Sequence, residues 1–451
     1  MANNNMPDFK SLKDNGEGRH GKTLLIPEMN RTGCRLLAAS FRGFNVDARV
    51  IPTGKGLDLG KEYTSGKECY PCIITIGDIL SFLYDEKKRL GNNFNPEDYT
   101  YFMPAASGPC RFGMYNQYHR MVLDSIPSFT KTEITSLSSD DGYSLAGVID
   151  KRDILQVRKI GFLSVVTGDI LDRLLWKIRP YERSSGMADK FIDKAICSME
   201  RAFEGYGSDR NINGVLKRLD TIIEEGRLIM DPDIPPKPKI GIVGEIYLRS
   251  HTVANQNLIK MLEAYGAEVV NASITEWVNY TAYDALKKAK TDFIRNLKEH
   301  DYDNILFCLK EIIRFGLVFF YQERIQKHVY RRARKLIGIT EDHATGHMEE
   351  ILTKEDLFSF DIGTEACLSI PAAIEYARHG FDGVVNVYPL TCMPSTITSA
   401  IVRPVMHRAK IPYLDTPYDA TSQPGRESDI RTFMYQAHQH KKNTNMISLH
   451  S

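Results

Sequence analysis

Six of the eight cysteines stand where a predicted strand gives way to the first turn of a predicted helix, namely Cys34, Cys69, Cys72, Cys110, Cys367 and Cys392. Cys69, Cys72, Cys110 and Cys392 have a proline nearby, which suits an opening helical turn because its missing N–H needs no partner there. The segments of Cys34 and Cys367 carry a threonine that we expect to be the N-cap. Helix N-termini lower thiol pKa values and favour anions. The pattern therefore predicts an anionic group held by several thiolates, with an iron–sulfur cluster as the first candidate.

Two other interpretations of the same thiols remain open. Cys69 and Cys72, with Pro71 between them, also match a thioredoxin-type dithiol that exchanges disulfides. Tetrahedral zinc could be held by four thiolates, Cys69, Cys72, Cys110 and Cys392, but zinc modules typically bring two close-spaced pairs and this chain has one. An iron–sulfur cluster accepts ligands from distant segments and is the favoured interpretation.

The remaining cysteines carry weaker signals. Cys34 and Cys367 are either small buried apolar residues or two further ligands, which would indicate a larger or double cluster. Cys197 and Cys308 lie inside predicted helices, and we expect both to pack in the core.

Two charged residues accompany these segments. Arg111 directly follows Cys110 and could neutralise an anionic cluster or simply face solvent in the first turn of a helix. Glu245 follows a predicted strand and could handle protons or cap a helix, the safer interpretation. Neither the Gly54-Lys55-Gly56 segment nor Gly241-x-x-Gly244 has the spacing of a nucleotide-binding loop, so any dependence on ATP should reside in a partner.

Composition narrows the function classes. The chain has 451 residues, with 58 Lys and Arg against 57 Asp and Glu, so nothing indicates a nucleic-acid or membrane partner. The most apolar stretch, residues 305–321, is interrupted by charges and predicts a buried helix rather than a bilayer span. The polar start lacks the apolar run of a signal peptide, and we expect a cytoplasmic protein with reduced thiols.

The alternation of strands and helices predicts an α/β protein with two Rossmann-like parallel-sheet domains, a helical insertion and a cluster in the cleft between the domains. The expected divisions are a flexible N-terminus (1–21), an N-terminal α/β domain (22–150), a helical region (151–230), a proline-rich linker (231–238), a C-terminal α/β domain (239–425) and a C-terminal helix and tail (426–451).

Four segments in order resemble one family: YTSGKECYPC (63–72), SGPCRFGMYN (107–116), VGEIY (243–247) and VNVYPLTCMP (385–394). The chain resembles the acyl-CoA dehydratase activase-related proteins, which are relatives of the 2-hydroxyacyl-CoA dehydratase subunits and of the double-cubane-cluster proteins, over residues 23–437. The resemblance implies an oxygen-sensitive protein with a 4Fe–4S or double-cubane 8Fe–9S cluster, ligated by Cys69, Cys72, Cys110 and Cys392. It also implies a separate electron donor, a dimeric iron–sulfur ATPase of the acetate-kinase/actin-like type, whose domain this chain lacks.

Together these expectations describe an anaerobic electron-transfer protein. It would accept low-potential electrons from the ATP-hydrolysing activator and pass them to a substrate or to a partner metalloenzyme, as a homodimer or within a larger complex. A reductase or dehydratase component acting directly on a substrate is the enzymatic variant. The non-enzymatic alternative is a scaffold or maturation subunit of an anaerobic metalloenzyme activation complex.

Overall fold

A computed structural model describes residues 21–104, 108–135, 149 and 152–449 of the chain. Within this range the protein is a mixed α/β structure around two four-stranded sheets in which every paired strand is parallel. The predicted α/β class is therefore confirmed. The segment expected to be flexible, residues 1–21, lies outside the described range except for Gly21.

The first sheet has the strand order β2-β1-β3-β4. Its strands are β1 (Thr23–Pro27), β2 (Ala48–Ile51), β3 (Tyr99–Phe102) and β4 (Glu133–Thr135). Its helices are α1 (Arg31–Arg42), α2 (Leu57–Glu62), α3 (Tyr70–Leu90) and α4 (Tyr115–Ser125), with short 3-10 helices at Gly91–Asn93, Pro96–Asp98 and Arg111–Met114. Leu24, Leu25 and Ile26 are all buried, as expected for a parallel strand covered on both faces.

A helical layer follows the first sheet. It contains α5 (Ile154–Ile178), α6 (Met187–Asp209) and α7 (Ile212–Arg227), with a 3-10 helix at Arg179–Tyr181. Apolar residues of these helices, such as Leu171 and Phe203, share one core with Leu36 of α1. The helical character predicted for this region is confirmed.

The second sheet repeats the strand order of the first, as β6-β5-β7-β8. Its strands are β5 (Lys239–Gly244), β6 (Glu268–Asn271), β7 (Gly383–Pro389) and β8 (Tyr413–Tyr418). Gly244, at the end of β5, has a φ of +117°, and a Cβ there would lie 2.1 Å from the Val387 carbonyl oxygen. Only glycine allows β5 to end this close to β7.

Eight helices complete the part of the chain after residue 244. They are α8 (Ile246–Ser250), α9 (Leu258–Ala264), α10 (Ile274–Glu299), α11 (Tyr302–Ile337), α12 (Thr345–Lys354), α13 (Ala366–Arg378), α14 (Met393–Ala409) and α15 (Arg426–Leu449), with a 3-10 helix at Phe360–Ile362. Among the described residues, no helix is long and apolar enough to cross a membrane.

The apolar stretch 305–321 is helical, as predicted, but the prediction that it is buried is wrong. It forms part of α11, where Leu306, Phe307, Ile313, Leu317 and Phe320 are exposed. The helix packs against α10, which covers only part of its circumference. Composition alone could not show this, since burial depends on how many neighbours a helix has.

The two sheets meet through the start of α3. Tyr70 and Ile74 belong to the apolar core that contains Ile240 and Ile242 of β5. His251, which follows α8, adds a polar contact between the two parts of the chain. Its Nε2 lies 3.0 Å from the hydroxyl of Thr53, a residue that follows β2 of the first sheet. Its Nδ1 accepts the Ala254 N–H at 2.9 Å, so the neutral ring carries its proton on Nε2 and donates to Thr53.

This buried histidine predicts a loss of stability in acid. Burial lowers the pKa of His251 to about 4, whereas in the unfolded chain it titrates near its ordinary value of about 6.5. The neutral ring therefore contributes fully above that value, and its contribution falls as the pH drops toward 4. Between pH 7.5 and pH 5 this group should remove about 2 kcal/mol from the free energy of unfolding.

Urea unfolding of the wild type and of His251→Gln at both pH values measures this contribution. The variant should lose about 2 kcal/mol less than the wild type on acidification. His407→Gln, at an exposed histidine of α14, is the control and should behave as the wild type. An equal acid loss in wild type and His251→Gln would contradict the assignment.

Candidate functional site

Cys69 and Cys72 lie at the start of α3. Cys69 is the N-cap residue, and Pro71 occupies the first turn. The Cys72 N–H donates to the Cys69 carbonyl at 2.9 Å, and both side chains are buried. Because Tyr70 and Ile74 are packed into the core of the second sheet, this pair lies where the two sheets meet.

Cys110 and Cys392 follow one strand of each sheet. Cys110, after β3, is the N-cap of the 3-10 helix Arg111–Met114. Cys392, after β7, is the N-cap of α14, with Pro394 in the first turn. The predicted helix-start positions of these two cysteines and of Cys69 are confirmed.

Arg111 joins the three cysteine-bearing loops. Its Nη1 donates to the Lys67 carbonyl at 2.8 Å, two residues before Cys69. Its Nη2 donates to the carbonyl and hydroxyl oxygens of Thr391, at 3.0 and 3.2 Å, directly before Cys392. A planar guanidinium with several donors suits this role. One side chain thus reaches a loop that lies 280 residues away in sequence.

A close backbone approach accompanies this connection. Gly108 has a φ of +121°, and a Cβ built there would lie 3.7 Å from the Gly363 carbonyl oxygen. The loop before Cys110 therefore lies beside the loop that leads into α13.

Two carboxyl groups lie among the same loops. Glu245 caps α8 by accepting the N–H groups of Tyr247 and Leu248 at 3.1 and 2.9 Å, so the capping alternative for Glu245 is confirmed. Glu365, the residue before α13, accepts the Ile246 N–H on Oε1 at 3.0 Å, whereas its buried Oε2 has no hydrogen-bond partner in the described part of the chain. Burial and the neighbouring charge of Glu245 both raise the pKa of Glu365.

The thiols differ from expectation in their electrostatics, because their pKa values are raised and not lowered. Burial raises the pKa of Cys72 to about 12 and that of Cys110 to about 12. Burial also raises the pKa of Cys69, and it raises the pKa of Cys392 by a larger amount. The charges of Glu365 and Glu245 add to the rise at Cys69, Cys110 and Cys392, while Arg111 opposes it at Cys69 and Cys72. The prediction that helix N-termini lower these pKa values is therefore wrong.

These properties distinguish among the three interpretations. A neutral, buried Cys69–Cys72 pair does not favour disulfide exchange, which needs an accessible thiolate. Thiolates that share one zinc ion lie about 3.8 Å apart, and among the described residues no three thiols have sulfurs within 4.8 Å of one another. In an iron–sulfur cluster the thiolates bind different irons and stand further apart. Among the described residues, the thiols therefore do not form a preassembled site for a single zinc ion with three or more thiolate ligands.

Of the other four cysteines, Cys34 and Cys367 lie in the first turns of α1 and α13, as predicted, whereas Cys197 and Cys308 lie inside α6 and α11. Cys34, inside α1, donates to the Pro27 carbonyl at 3.5 Å, and Cys367, in α13, donates to the Phe360 carbonyl at 3.5 Å. Cys308 is buried, as predicted, whereas Cys197 is exposed, so the prediction that it packs in the core is wrong. Its helix, α6, turns that position outward.

The threonine N-cap expected before Cys34 is wrong. Asn30 caps α1 through its side chain, which accepts the Gly33 N–H. Thr32 instead donates to Asp172. Before Cys367 the cap is displaced by one residue, since Thr364 Oγ1 accepts the Ala366 N–H at 3.3 Å but Glu365 is the N-cap residue.

Comparison with known proteins adds no assignment. No protein-family model matches the chain. No curated protein matches it either.

Replacing Arg111 tests whether it holds the loops together. Arg111→Met removes three hydrogen bonds and should lower the free energy of unfolding by about 1 kcal/mol or more, as judged by urea denaturation. Arg111→Lys keeps the charge but loses the planar fork, so it should fall between the wild type and Arg111→Met.

A matched control is Arg89→Met on α3. Arg89 pairs with Glu86 on the surface of the same helix, and its loss should change stability by less than about 0.5 kcal/mol. If Arg111→Met is no more destabilising than Arg89→Met, the connecting role is refuted.

Proposed function

We propose that this protein is an iron–sulfur protein that accepts low-potential electrons from a separate ATP-hydrolysing iron–sulfur activator. It would pass them to a small-molecule substrate or to a partner metalloenzyme, in the cytoplasm of anaerobic cells. The observation that carries the proposal is the Arg111 side chain, which connects the loops of Cys69, Cys110 and Cys392 from two sheets. The resemblance described above supplies the activator and the electron-transfer class.

The thiols of Cys69, Cys72, Cys110 and Cys392 are the residues that would hold the cluster. Bound there, a 4Fe–4S or double-cubane cluster supplies one-electron chemistry at low potential. The chain contributes three buried thiols and one half-buried thiol, Cys110. The positive charge of Arg111 and the N-terminal ends of three helices would offset the negative charge of a bound cluster. Gly108 leaves room for a bulky group beside Cys110 because it carries no side chain.

The repeated strand order supports a site at this edge of the sheets. In each sheet the first and third strands are neighbours, and the second strand lies on the other side of the first. Ligands of open parallel sheets bind at such a switch in strand order, beyond the carboxyl ends of the strands. Two Rossmann-like domains facing each other at these ends would enclose the cluster between them.

Glu365 offers a contact to whatever is bound. Its buried Oε2 has no hydrogen-bond partner in the described structure, and its charge acts on Cys110 and Cys392. A buried polar atom without a partner is costly unless a ligand or water satisfies it. Glu365 is therefore the residue that we assign to a substrate or ligand beside the cluster, and sequence reasoning did not identify it.

Anaerobic purification tests the proposal. The wild type should contain iron and acid-labile sulfide and give an EPR signal after reduction by dithionite. Cys69→Ser, Cys110→Ser and Cys392→Ser should lose most of both elements, because each removes a thiolate ligand. Cys197→Ser, at an exposed position, should keep the wild-type content.

The proposal would be refuted if the folded wild type contained full zinc and no iron above background. It would also be refuted if all three site variants kept the full iron content of the wild type. Cys34→Ala and Cys367→Ala determine whether four or six thiolates take part. Reduction of the cluster by an iron–sulfur ATPase with ATP, and not with ATP omitted, tests the electron source separately.

A further inference from the structure

Three histidines and a carboxyl group gather at the C-terminal end of α13. Glu375 lies in the last turn of this helix, and His379 is its C-cap. His347 lies in the first turn of α12, and His343 lies in the segment between α11 and α12. The Glu375 side chain is buried, while the histidines are partly exposed.

The histidines converge on one oxygen atom. Glu375 Oε2 lies 3.4 Å from His347 Nε2, 3.7 Å from His343 Nδ1 and 3.5 Å from His379 Nδ1. The ligand atoms of His343, His347 and Glu375 all lie within 4.8 Å of one another, and this is the one such group of at least three His, Cys, Asp or Glu side chains in the described part of the chain.

The separations match those around a small cation. Zinc binds histidine nitrogen and carboxylate oxygen at about 2.1 Å, so two ligands of a tetrahedral site lie about 3.4 Å apart. The contacts of His347 and His343 to Oε2 are longer than ordinary N–H···O hydrogen bonds, which lie near 2.9 Å. The side chains thus stand at the distance of co-ligands.

Neighbouring charges orient these groups. Glu375 Oε1 faces Arg378 Nη1 at 3.5 Å, which leaves Oε2 to the histidines. The other nitrogen of His347, Nδ1, lies 3.9 Å from the Glu350 carboxylate, which is too far for a hydrogen bond. His379 Nδ1 lies 2.9 Å from the Glu375 carbonyl oxygen, a helix-capping contact that engages this nitrogen.

We propose that His343, His347 and Glu375 bind a divalent transition-metal ion, zinc foremost, with a fourth coordination position open to water or an exchangeable ligand. Two imidazoles and one carboxylate form a donor set that suits zinc. The partly exposed histidines provide an entry path for the ion. The site is distinct from the thiols, since ten helical residues, about 15 Å, separate Glu375 from Glu365 at the other end of α13.

Cobalt and zinc titrations of the full-length protein test this site. Co²⁺ should produce visible d–d absorption that is abolished in His347→Gln and Glu375→Gln, without the intense near-ultraviolet band of a cobalt–thiolate bond. Calorimetry with Zn²⁺ should show the same variants binding at least roughly tenfold more weakly than the wild type. Zn²⁺ should raise the melting temperature of the wild type but not of these variants.

The control variant is His407→Gln, at an exposed histidine on α14, which should bind as the wild type. Circular dichroism verifies that each variant is folded, and the isosteric Glu375→Gln replacement keeps the buried volume. Equal zinc affinity in wild type, His347→Gln and Glu375→Gln would overturn the proposal. Cobalt binding that is lost only in the cysteine variants would overturn it as well, whatever the iron content of the protein.

Discussion

The packing of the first turn of α3 against the second sheet is the interaction on which the arrangement of the thiols depends. Tyr70 and Ile74 alternate with Cys69 and Cys72 along this turn, and both enter the core formed by Ile240 and its neighbours. Burial of two such side chains contributes about 2 kcal/mol each, more than a partly exposed hydrogen bond of Arg111. Apolar packing therefore brings the loops together, and Arg111 fixes their relative position. The residues between the thiols are as important to the site as the thiols themselves.

Local sequence signals predicted the local structure well. A proline two residues after the cysteine correctly marked the helix starts at Cys69 and Cys392, because the preference of proline for a first turn depends only on nearby residues. The sequence did not predict the short strand β4, because its three half-buried residues are too few to show a clear hydrophobic period. The caps of α1 and α13 were misassigned because several nearby polar residues could fill the same role. At Thr32 the distant Asp172 takes its hydroxyl.

Properties that depend on distant neighbours were the ones that sequence could not supply. A helix N-terminus stabilises a nearby anion by about 0.3–1 kcal/mol, whereas the rise in the pKa of Cys72 from 9.0 to about 12 corresponds to ~4 kcal/mol. Burial thus exceeds the helix effect, and it arises from the core of the first sheet, in which Cys72 packs with Ile51 and Tyr101. Similarly, the spacing His343-x-x-x-His347 is visible in the sequence, but Glu375 completes the group only through the packing of α12 on α13. A search for histidines four residues apart would have found two of the three members of that group.

Because the two sheets have the same strand order, each part of the thiol site can be compared with the corresponding position in the other sheet. Some parts have a counterpart there and others do not. Cys110 and Cys392 occupy corresponding places, each at a helix start after the third strand of its sheet. After the second strand the halves diverge, because β2 is followed by α2 and then by Cys69 and α3, whereas β6 is followed by Ser273, the side-chain cap of α10. A group bound between the sheets would therefore meet one thiol from each corresponding loop and an additional pair from one side only. Cys69 and Cys72 lie at the start of α3, and the same turn packs against the second sheet. The two additional thiols and the contact between the sheets therefore both depend on the position of α3.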